Sequence, residues 1–167
     1  IQALSIKEHV PQIEVAIAEQ DTILILRHLQ PLNDNDEKVL DQYAQKLSIT
    51  WYLQSGGLET IKPLNDSAQL TYTIPNHSIE MKFLPSDFTQ VNFELNQKMI
   101  DLALELLQLN ESDDVIDLFC GLGNFTLPIS RYVNSVVGIE GDKGLVERAK
   151  ENAKLNDIAN ASFYKAD

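Results

Sequence analysis

The chain has 167 residues, of which 44% are hydrophobic, and a formal net charge of −12 at pH 7. This length provides a domain-sized core, and the acidic balance repels phosphate at long range, so the composition does not indicate a nucleic-acid binder. No apolar run approaches the roughly 18 residues of a membrane span, and a single cysteine, Cys120, excludes an internal disulfide. These features predict a cytoplasmic protein without a membrane partner, and the three histidines have no metal-ligand spacing.

The first half of the chain has the pattern of an α+β segment. Alternating and continuous apolar runs predict short strands, and one stretch has helical spacing. No catalytic constellation stands out here, so we interpret residues 1–83 as a segment of a central domain that positions a substrate. The predicted elements are two strands within 6–29, a helix at 36–47, a strand at 49–53 and a pair of strands at 70–74 and 78–84.

A segment of different character, residues 84–167, begins near Pro85 with a predicted helix. Asn92 is a plausible N-cap, and Glu94 lies in the first helical turn. We expect one apolar face of this helix to cover a following sheet. That face consists of Leu95, Met99, Leu102, Ala103, Leu106 and Leu107.

The stretch from Asp114 to Glu140 predicts a strand, a glycine turn, a helix and a second strand that ends in an acid. Val115–Phe119 form the first buried strand, and Gly121 and Gly123 allow the backbone to pass close to a ligand. A helix is predicted over 125–132. In an open α/β sheet, ligands bind beyond the carboxyl ends of such strands.

The acid at the end of the second strand indicates an adenosine cofactor. Glu140 can accept hydrogen bonds from both ribose hydroxyls. Thr126 stands where a dinucleotide site needs a third glycine, and Asp117 disfavours a pyrophosphate, so the pattern favours S-adenosylmethionine over NAD. A glycine pair alone is equally typical of an ordinary tight turn. A third strand, beginning at Ala161, leads to Asp167, a candidate acceptor for the adenine amino group.

Several motifs resemble those of the RNA uracil-C5 methyltransferases, in particular the bacterial group that acts on 23S ribosomal RNA. The resemblance is tight over 83–167 and looser over 1–82. It implies an α/β fold, namely the N-terminal half of a Rossmann-like S-adenosylmethionine-dependent methyltransferase sheet after an α+β central-domain segment. The motifs are FTQVNFELNQKM at 88–99, DLFCGLGNFTLPIS at 117–130, VVGIEGDKGLVERAKENAKLN at 136–156 and FYKAD at 163–167.

The resemblance also implies a set of cofactor-binding residues and a reaction. In this family a cysteine thiolate adds to C6 of a flipped-out uracil, the enolate attacks the methyl group, and a base removes the C5 proton. Cys120 lies in the cofactor turn and is expected to be a structural thiol. The implied cofactor residues are Gln90, Phe119, Gly121, Asn124, Glu140 and Asp167.

The same comparison leads us to expect a fragment. The family's nucleophilic cysteine, its N-terminal RNA-binding barrel and its iron–sulfur cysteines have no counterpart in this sequence, so we expect no methyl transfer from the chain alone. The strand at Val115–Phe119 is expected to present an open apolar edge and to favour self-association. Ribosomal RNA is the expected partner of the full-length parent.

Three alternatives remain open at this stage. One is a methyltransferase that acts on a tRNA uridine. Another is a small-molecule methyltransferase that shares only the glycine turn, although the FTQVN segment argues against it. The third is a non-catalytic interaction module that binds no nucleotide.

Overall fold

The computed structural model describes residues 1–65 and 67–166, which form two compact units. The first unit comprises residues 1–70 and 84–86. The second comprises residues 71–83 and the chain from Asp87 onward. The sequence predicted a domain boundary between residues 83 and 84. In the structure, residues 71–83 pack with the second unit and not with the first.

The first unit is a four-stranded sheet with one helix. Strands β2 and β3 are parallel and are joined through α1, while β1 and β4 pair antiparallel at the two edges. The core includes Leu26, Leu40, Trp51 and Leu53, so Trp51 is a core residue. The elements are β1 (Gln12–Ile17), β2 (Thr22–Arg27), α1 (Asp34–Leu47), β3 (Thr50–Gln54) and β4 (Lys62–Pro63).

A capping box determines where α1 begins. The side chain of Asn33 accepts hydrogen bonds from the backbone of Asn35 and Asp36, and the carboxylate of Asp36 accepts one from the backbone of Asn33. Asp36 is buried, and its carboxylate also accepts bonds from the backbone and hydroxyl of Ser5. These bonds offset the cost of burying the carboxylate and tie the start of the chain to the helix.

The hairpin of the second unit consists of β5 (Leu70–Ile74), a single 3₁₀ turn at Pro75–His77, and β6 (Ile79–Phe83). Side-chain amides bind its outer edge. Asn152 exchanges two hydrogen bonds with the backbone of Lys82, and Asn156 does the same with Glu80. These four bonds explain why the hairpin belongs with the later residues, and sequence periodicity gives no sign of them.

The second unit also contains a parallel three-stranded sheet in the order β7-β8-β9. The register aligns Asp117 with Gly138 and Gly138 with Phe163, so the three strands end at one edge. The predicted α/β fold class is confirmed. The elements are α2 (Phe93–Leu107), β7 (Asp114–Leu118), α3 (Thr126–Ser130), β8 (Ser135–Glu140), α4 (Lys143–Leu155) and β9 (Ala161–Lys165).

The predicted inner face of α2 is wrong. The helix begins after the Asn92 cap as expected, but its fully buried residues are Asn96 and Ile100. Leu95, Leu102, Leu106 and Leu107 are exposed in the described part of the chain. The prediction failed because it treated leucine as a marker of the buried face, whereas this face carries an asparagine that makes buried hydrogen bonds. None of the helices described is long and apolar enough to cross a membrane.

Candidate cofactor site

The turn after β7 has an unusual backbone that opens one side to a ligand. Phe119, Gly121 and Gly123 all have positive φ angles, of 61°, 54° and 91°. A Cβ atom added to Gly121 would meet nothing within 4 Å, so open space lies next to this residue. A left-handed conformation is costly for an aromatic residue, and such strain is concentrated at functional sites. The ring of Phe119 is 88% exposed.

Glu140 lies at the carboxyl end of β8 with its carboxylate directed at this turn. The backbone N–H of Gly121 donates to Oε2 at 3.0 Å, and the N–H of Asp142 donates to Oε1 at 2.9 Å. Each oxygen keeps further acceptor capacity, because a carboxylate has about four lone-pair sites. The two backbone bonds therefore hold the carboxylate in a fixed orientation while leaving it able to accept hydroxyl donors.

A cavity of about 190 Å³ lies beside the turn. Four of its ten lining residues are aromatic, and a small number carry polar side chains, which is typical of small-molecule sites. Its lining residues are Tyr72, Phe88, Thr89, Gln90, Phe119, Cys120, Gly121, Leu122, Asn124 and Phe125. A somewhat larger cavity, of about 230 Å³, lies in the first unit and includes Asp41 and Trp51. It contains none of the sequence-predicted site residues, so we centre the site on the turn.

Asn124 is the most heavily bonded side chain in this wall. Its Oδ1 accepts hydrogen bonds from the hydroxyl of Tyr72 at 3.0 Å and from Nδ2 of Asn96 at 2.9 Å. Its own Nδ2 donates to Oδ1 of Asn96 at 2.9 Å. Sequence analysis missed both partners. Asn96 shares a helical face with Ile100, four residues later, which is a signal for an inward position. The sequence predicts the strand that carries Tyr72 but gives no indication that this strand reaches the turn.

Two acids influence the electrostatics of the turn. Burial raises the pKa of Asp117, opposed by a hydrogen bond from the Thr126 hydroxyl at 2.5 Å. Burial, followed by the negative charges of Asp117 and Glu140, raises the pKa of the Cys120 thiol to about 12. Cys120 is therefore a neutral thiol near pH 7, whereas nucleophilic cysteines have lowered pKa values. This agrees with its interpretation as a structural thiol.

An ion pair holds the segment that precedes α2. Nη2 of Arg148, on α4, lies 2.5 Å from Oδ1 of Asp87, and the Asp87 side chain is almost completely buried. Phe88, Thr89 and Gln90 follow directly and line the cavity. The pair therefore fixes one end of the short stretch that carries Gln90.

The structure brings most of the predicted site residues together. Gln90, Phe119, Gly121 and Asn124 line one cavity. Glu140 is joined to the same turn through the N–H of Gly121. Asp167 lies outside the described residues. The cofactor contacts assigned to these side chains remain predictions.

Comparison with known proteins finds relatives that match the whole chain. Among curated relatives, a 23S rRNA (uracil(1939)-C(5))-methyltransferase RlmD from Vesicomyosocius okutanii is 62% identical over 167 residues, 100% of this chain and 38% of the relative. The protein of that name from Stenotrophomonas maltophilia is 49% identical over 168 residues, again 38% of its length. The chain thus spans 38% of the length of these relatives.

Solved structures support the fold. The Pyrococcus abyssi tRNA (uracil-54, C5)-methyltransferase in complex with S-adenosyl-L-homocysteine matches 92% of this chain and 38% of its own, with a TM-score of 0.65 and 14% identity. TYW2 from P. horikoshii, in complex with MeSAdo, matches 96% of this chain and 57% of its own, with a TM-score of 0.57 and 21% identity.

The family described as tRNA (uracil-5-)-methyltransferase matches residues 2–166, almost the entire sequence. The match includes the glycine turn, Glu140 and the segment that carries Gln90. On this evidence, the chain belongs to the tRNA (uracil-5-)-methyltransferase family.

Proposed function

We propose that this chain is the cofactor-binding part of an RNA uracil-C5 methyltransferase and that its cofactor is S-adenosylmethionine. The observation that carries the proposal is the Glu140 carboxylate, held beside the Gly121 turn at the end of β8 by two backbone N–H groups. An acceptor at the end of the second strand suits the two hydroxyls of a ribose. Family membership supports the same assignment.

The residues present fit this cofactor. The cavity, about 190 Å³, is smaller than the ~300 Å³ at the lower end of the range for drug-sized ligands, so it suits one part of a nucleoside ligand. Phe119 offers an exposed ring next to it, and Gly121 leaves open space there. The acids Asp117 and Glu140 suit a ligand that carries a sulfonium and an ammonium group better than one that carries a pyrophosphate.

In this proposal the bound cofactor supplies an electrophilic methyl group, and the described residues bind and orient it. Glu140 holds the ribose, the turn at Gly121 admits the ligand, and Gln90 and Asn124 present amide groups to it. Cys120 takes no covalent part, because its thiol stays protonated near pH 7. The thiolate that adds to uracil belongs to another cysteine of the whole protein.

We propose 23S ribosomal RNA as the substrate of the whole protein. The relatives that carry this activity are 62% and 49% identical to the chain over their matched residues. The tRNA-modifying neighbour shares only 14% of its residues and therefore supports the fold alone. Such a substrate implies a cytoplasmic location. We assign substrate positioning to the first unit, in line with the interpretation of residues 1–83.

Isothermal calorimetry with S-adenosylhomocysteine tests the cofactor assignment. We expect the chain to bind this ligand and not NAD. Glu140→Gln should weaken binding about tenfold or more, because hydrogen bonds to a charged acceptor contribute roughly 1.5–3 kcal/mol each. The matched control is Glu151→Gln, which removes an exposed acid from α4 and should leave binding unchanged.

The outcomes also separate the competing functions. Binding of NAD in place of S-adenosylhomocysteine would overturn the cofactor assignment, and binding of neither would favour a non-catalytic interaction module. Equal affinity of the wild type and Glu140→Gln would reject the ribose role. A small-molecule methyltransferase would bind S-adenosylhomocysteine in the same way. Its whole protein, however, would show no affinity for a ribosomal RNA segment that contains uridine.

We further propose that the chain self-associates through β7. In the described residues this strand pairs only with β8, so its other edge is unpaired. Ile116 and Leu118 share one exposed face of the strand. An apolar edge strand of this kind pairs readily with another chain. A second copy of β7 is the occupant that we propose.

A further inference from the structure

We propose that Tyr72 and Asn96 are positioning residues of the cofactor site, which act by fixing the side-chain amide of Asn124. The inference rests on the proposed cofactor function and extends it to two residues outside the predicted site. Tyr72 comes from the β5–β6 hairpin and Asn96 from α2, whereas Asn124 belongs to the turn after β7. Three separate segments thus meet at one amide.

The hydrogen bonds leave Asn124 almost no freedom. Its carbonyl oxygen accepts from both Tyr72 and Asn96, which uses its two lone pairs. One of its two amide hydrogens is donated to Asn96. A single N–H of Asn124 therefore remains for a ligand, and it donates to no acceptor among the described residues. Because Asn124 lines the cavity, that donor is available to the cofactor.

Burial makes this arrangement rigid. Tyr72 is 3% exposed and Asn96 is 2% exposed, so water cannot replace a broken bond at low cost. The ring of Tyr72 stacks on Phe93, with centroids 5.6 Å apart and planes 16° apart. Phe93 precedes Asn96 by three residues on α2, so the two side chains are neighbours on the helix. The helix therefore contacts Tyr72 of the hairpin through Phe93 and Asn124 of the turn through Asn96. Tyr72 also lines the cavity itself.

A purely structural role is the competing explanation. These bonds would then stabilise the unit without affecting the ligand. The two explanations differ in what a conservative change does to cofactor affinity relative to stability. A positioning role requires affinity to fall even where the unit remains folded.

The first test is Tyr72→Phe, which removes only the hydroxyl and keeps the ring stacked on Phe93. Loss of one buried hydrogen bond worth ~0.5–1.5 kcal/mol predicts a Kd for S-adenosylhomocysteine raised about two- to tenfold. The matched control, Tyr43→Phe, removes a hydroxyl from an exposed ring on α1 and should leave the Kd unchanged. Calorimetry gives the Kd, and circular dichroism verifies folding at the same temperature.

The second test is Asn96→Asp, which keeps the shape of the side chain but removes the donor of the hydrogen bond to Oδ1 of Asn124. A carboxylate cannot donate to Oδ1 of Asn124, so binding should weaken at pH 8. A protonated carboxyl can both donate and accept, and burial raises the pKa of an introduced acid. Affinity should therefore recover towards that of the wild type as the pH falls from about 8 to about 6. The neighbouring Tyr72 phenol, whose pKa is raised by burial, stays neutral throughout.

Asn35→Asp, at an exposed position of α1, is the control for the added charge. The wild type, measured over the same pH range, corrects for pH effects that arise elsewhere in the turn, where burial raises the pKa of Asp117. If both variants bind as tightly as the wild type, or if Asn96→Asp shows no recovery at low pH, the positioning role is rejected. If the wild type itself does not bind S-adenosylhomocysteine, the proposed function fails instead, so the two failures are distinguishable.

Discussion

Phe119 combines two properties that rarely occur together in one residue. It has a left-handed backbone conformation, and its large apolar ring is almost fully exposed. Neither property stabilises the folded chain, since the backbone costs roughly 1–3 kcal/mol and the ring buries little surface. The exposed ring lies at the edge of the cavity next to Gly121. The exposed ring is consistent with the proposed cofactor site, because a bound nucleoside would cover it.

At the same scale, the Cys120 thiol should resist alkylation. Its pKa is raised from 9.0 to about 12, mainly by burial and then by Asp117 and Glu140. Three pKa units mean that about a thousandfold less thiolate is present at pH 8 than in the unfolded chain, since each unit is a factor of ten. Iodoacetamide should react slowly with the native protein and rapidly in urea, as measured by mass spectrometry. Equal rates would contradict the burial argument.

The raised pKa of Cys120 also makes the free energy of unfolding depend on pH. The folded state holds the thiol proton more tightly than the unfolded state does. The contribution of the thiol to stability is therefore complete below about pH 9, its unfolded value, and declines as the pH rises towards 12. Cys120→Ala should flatten this alkaline decline in urea unfolding measurements.

At the scale of elements, local patterns were sufficient to predict most helices and strands. The Asn92 cap was predicted correctly, and the helix predicted at 36–47 is observed at Asp34–Leu47, because caps and helical spacing are local properties. The helix predicted at 125–132 is shorter, at Thr126–Ser130. The inner face of α2 was wrong, since Asn96 is buried by hydrogen bonds to a distant turn. Such partners cannot be deduced from spacing.

The site residues also divide into those that local sequence patterns predict and those that they do not. The glycine turn and Glu140 were predictable because they adjoin strand ends in one βαβ unit. Tyr72 was not, because it lies on a hairpin that is held to the later residues by side-chain hydrogen bonds of Asn152 and Asn156. Long-range side-chain bonds of this kind leave no periodic pattern in the sequence. The residues that the sequence did not predict, Tyr72 and Asn96, are therefore those that lie on other elements, β5 and α2.

The ion pair between α4 and the segment before α2 gives a prediction at this scale. Arg148→Ala should destabilise the chain by roughly 1–3 kcal/mol, because it removes a charged donor from the buried Asp87 carboxylate. It should also weaken S-adenosylhomocysteine binding, because Asp87 anchors the stretch that carries Gln90. Urea unfolding and calorimetry measure the two effects. Asp87→Asn and the double variant complete a mutant cycle. Additive losses would show that the two side chains are not coupled, and exposed Lys150→Ala on the same helix serves as the control.

At the scale of the whole molecule, the proposed self-association through the edge of β7 predicts how the chain behaves in solution. Ile116 is 67% exposed on a strand that pairs on one side only among the described residues. We expect the mass measured by light scattering to rise with protein concentration. Ile116→Lys should keep the chain monomeric, because a charge on an edge strand opposes pairing. The control Val91→Lys places the same charge at an exposed position outside the sheet.

A mass that stays monomeric for the wild type at high concentration would reject the β7 interface. Equal association of the wild type and Ile116→Lys would move the contact elsewhere, and the exposed leucines of α2 would then be the surface to alter next.

The absence of a side chain at Gly138 links three strands in a way that bears on sequence change. A Cβ atom there would lie 2.8 Å from Sγ of Cys120 and 2.7 Å from the ring of Phe163. Both distances are too short, and neither neighbour can retreat easily from the space it fills. Positions 120, 138 and 163 therefore share one fixed volume. We therefore expect a larger side chain at any of the three positions to be accommodated only when another of the three becomes smaller.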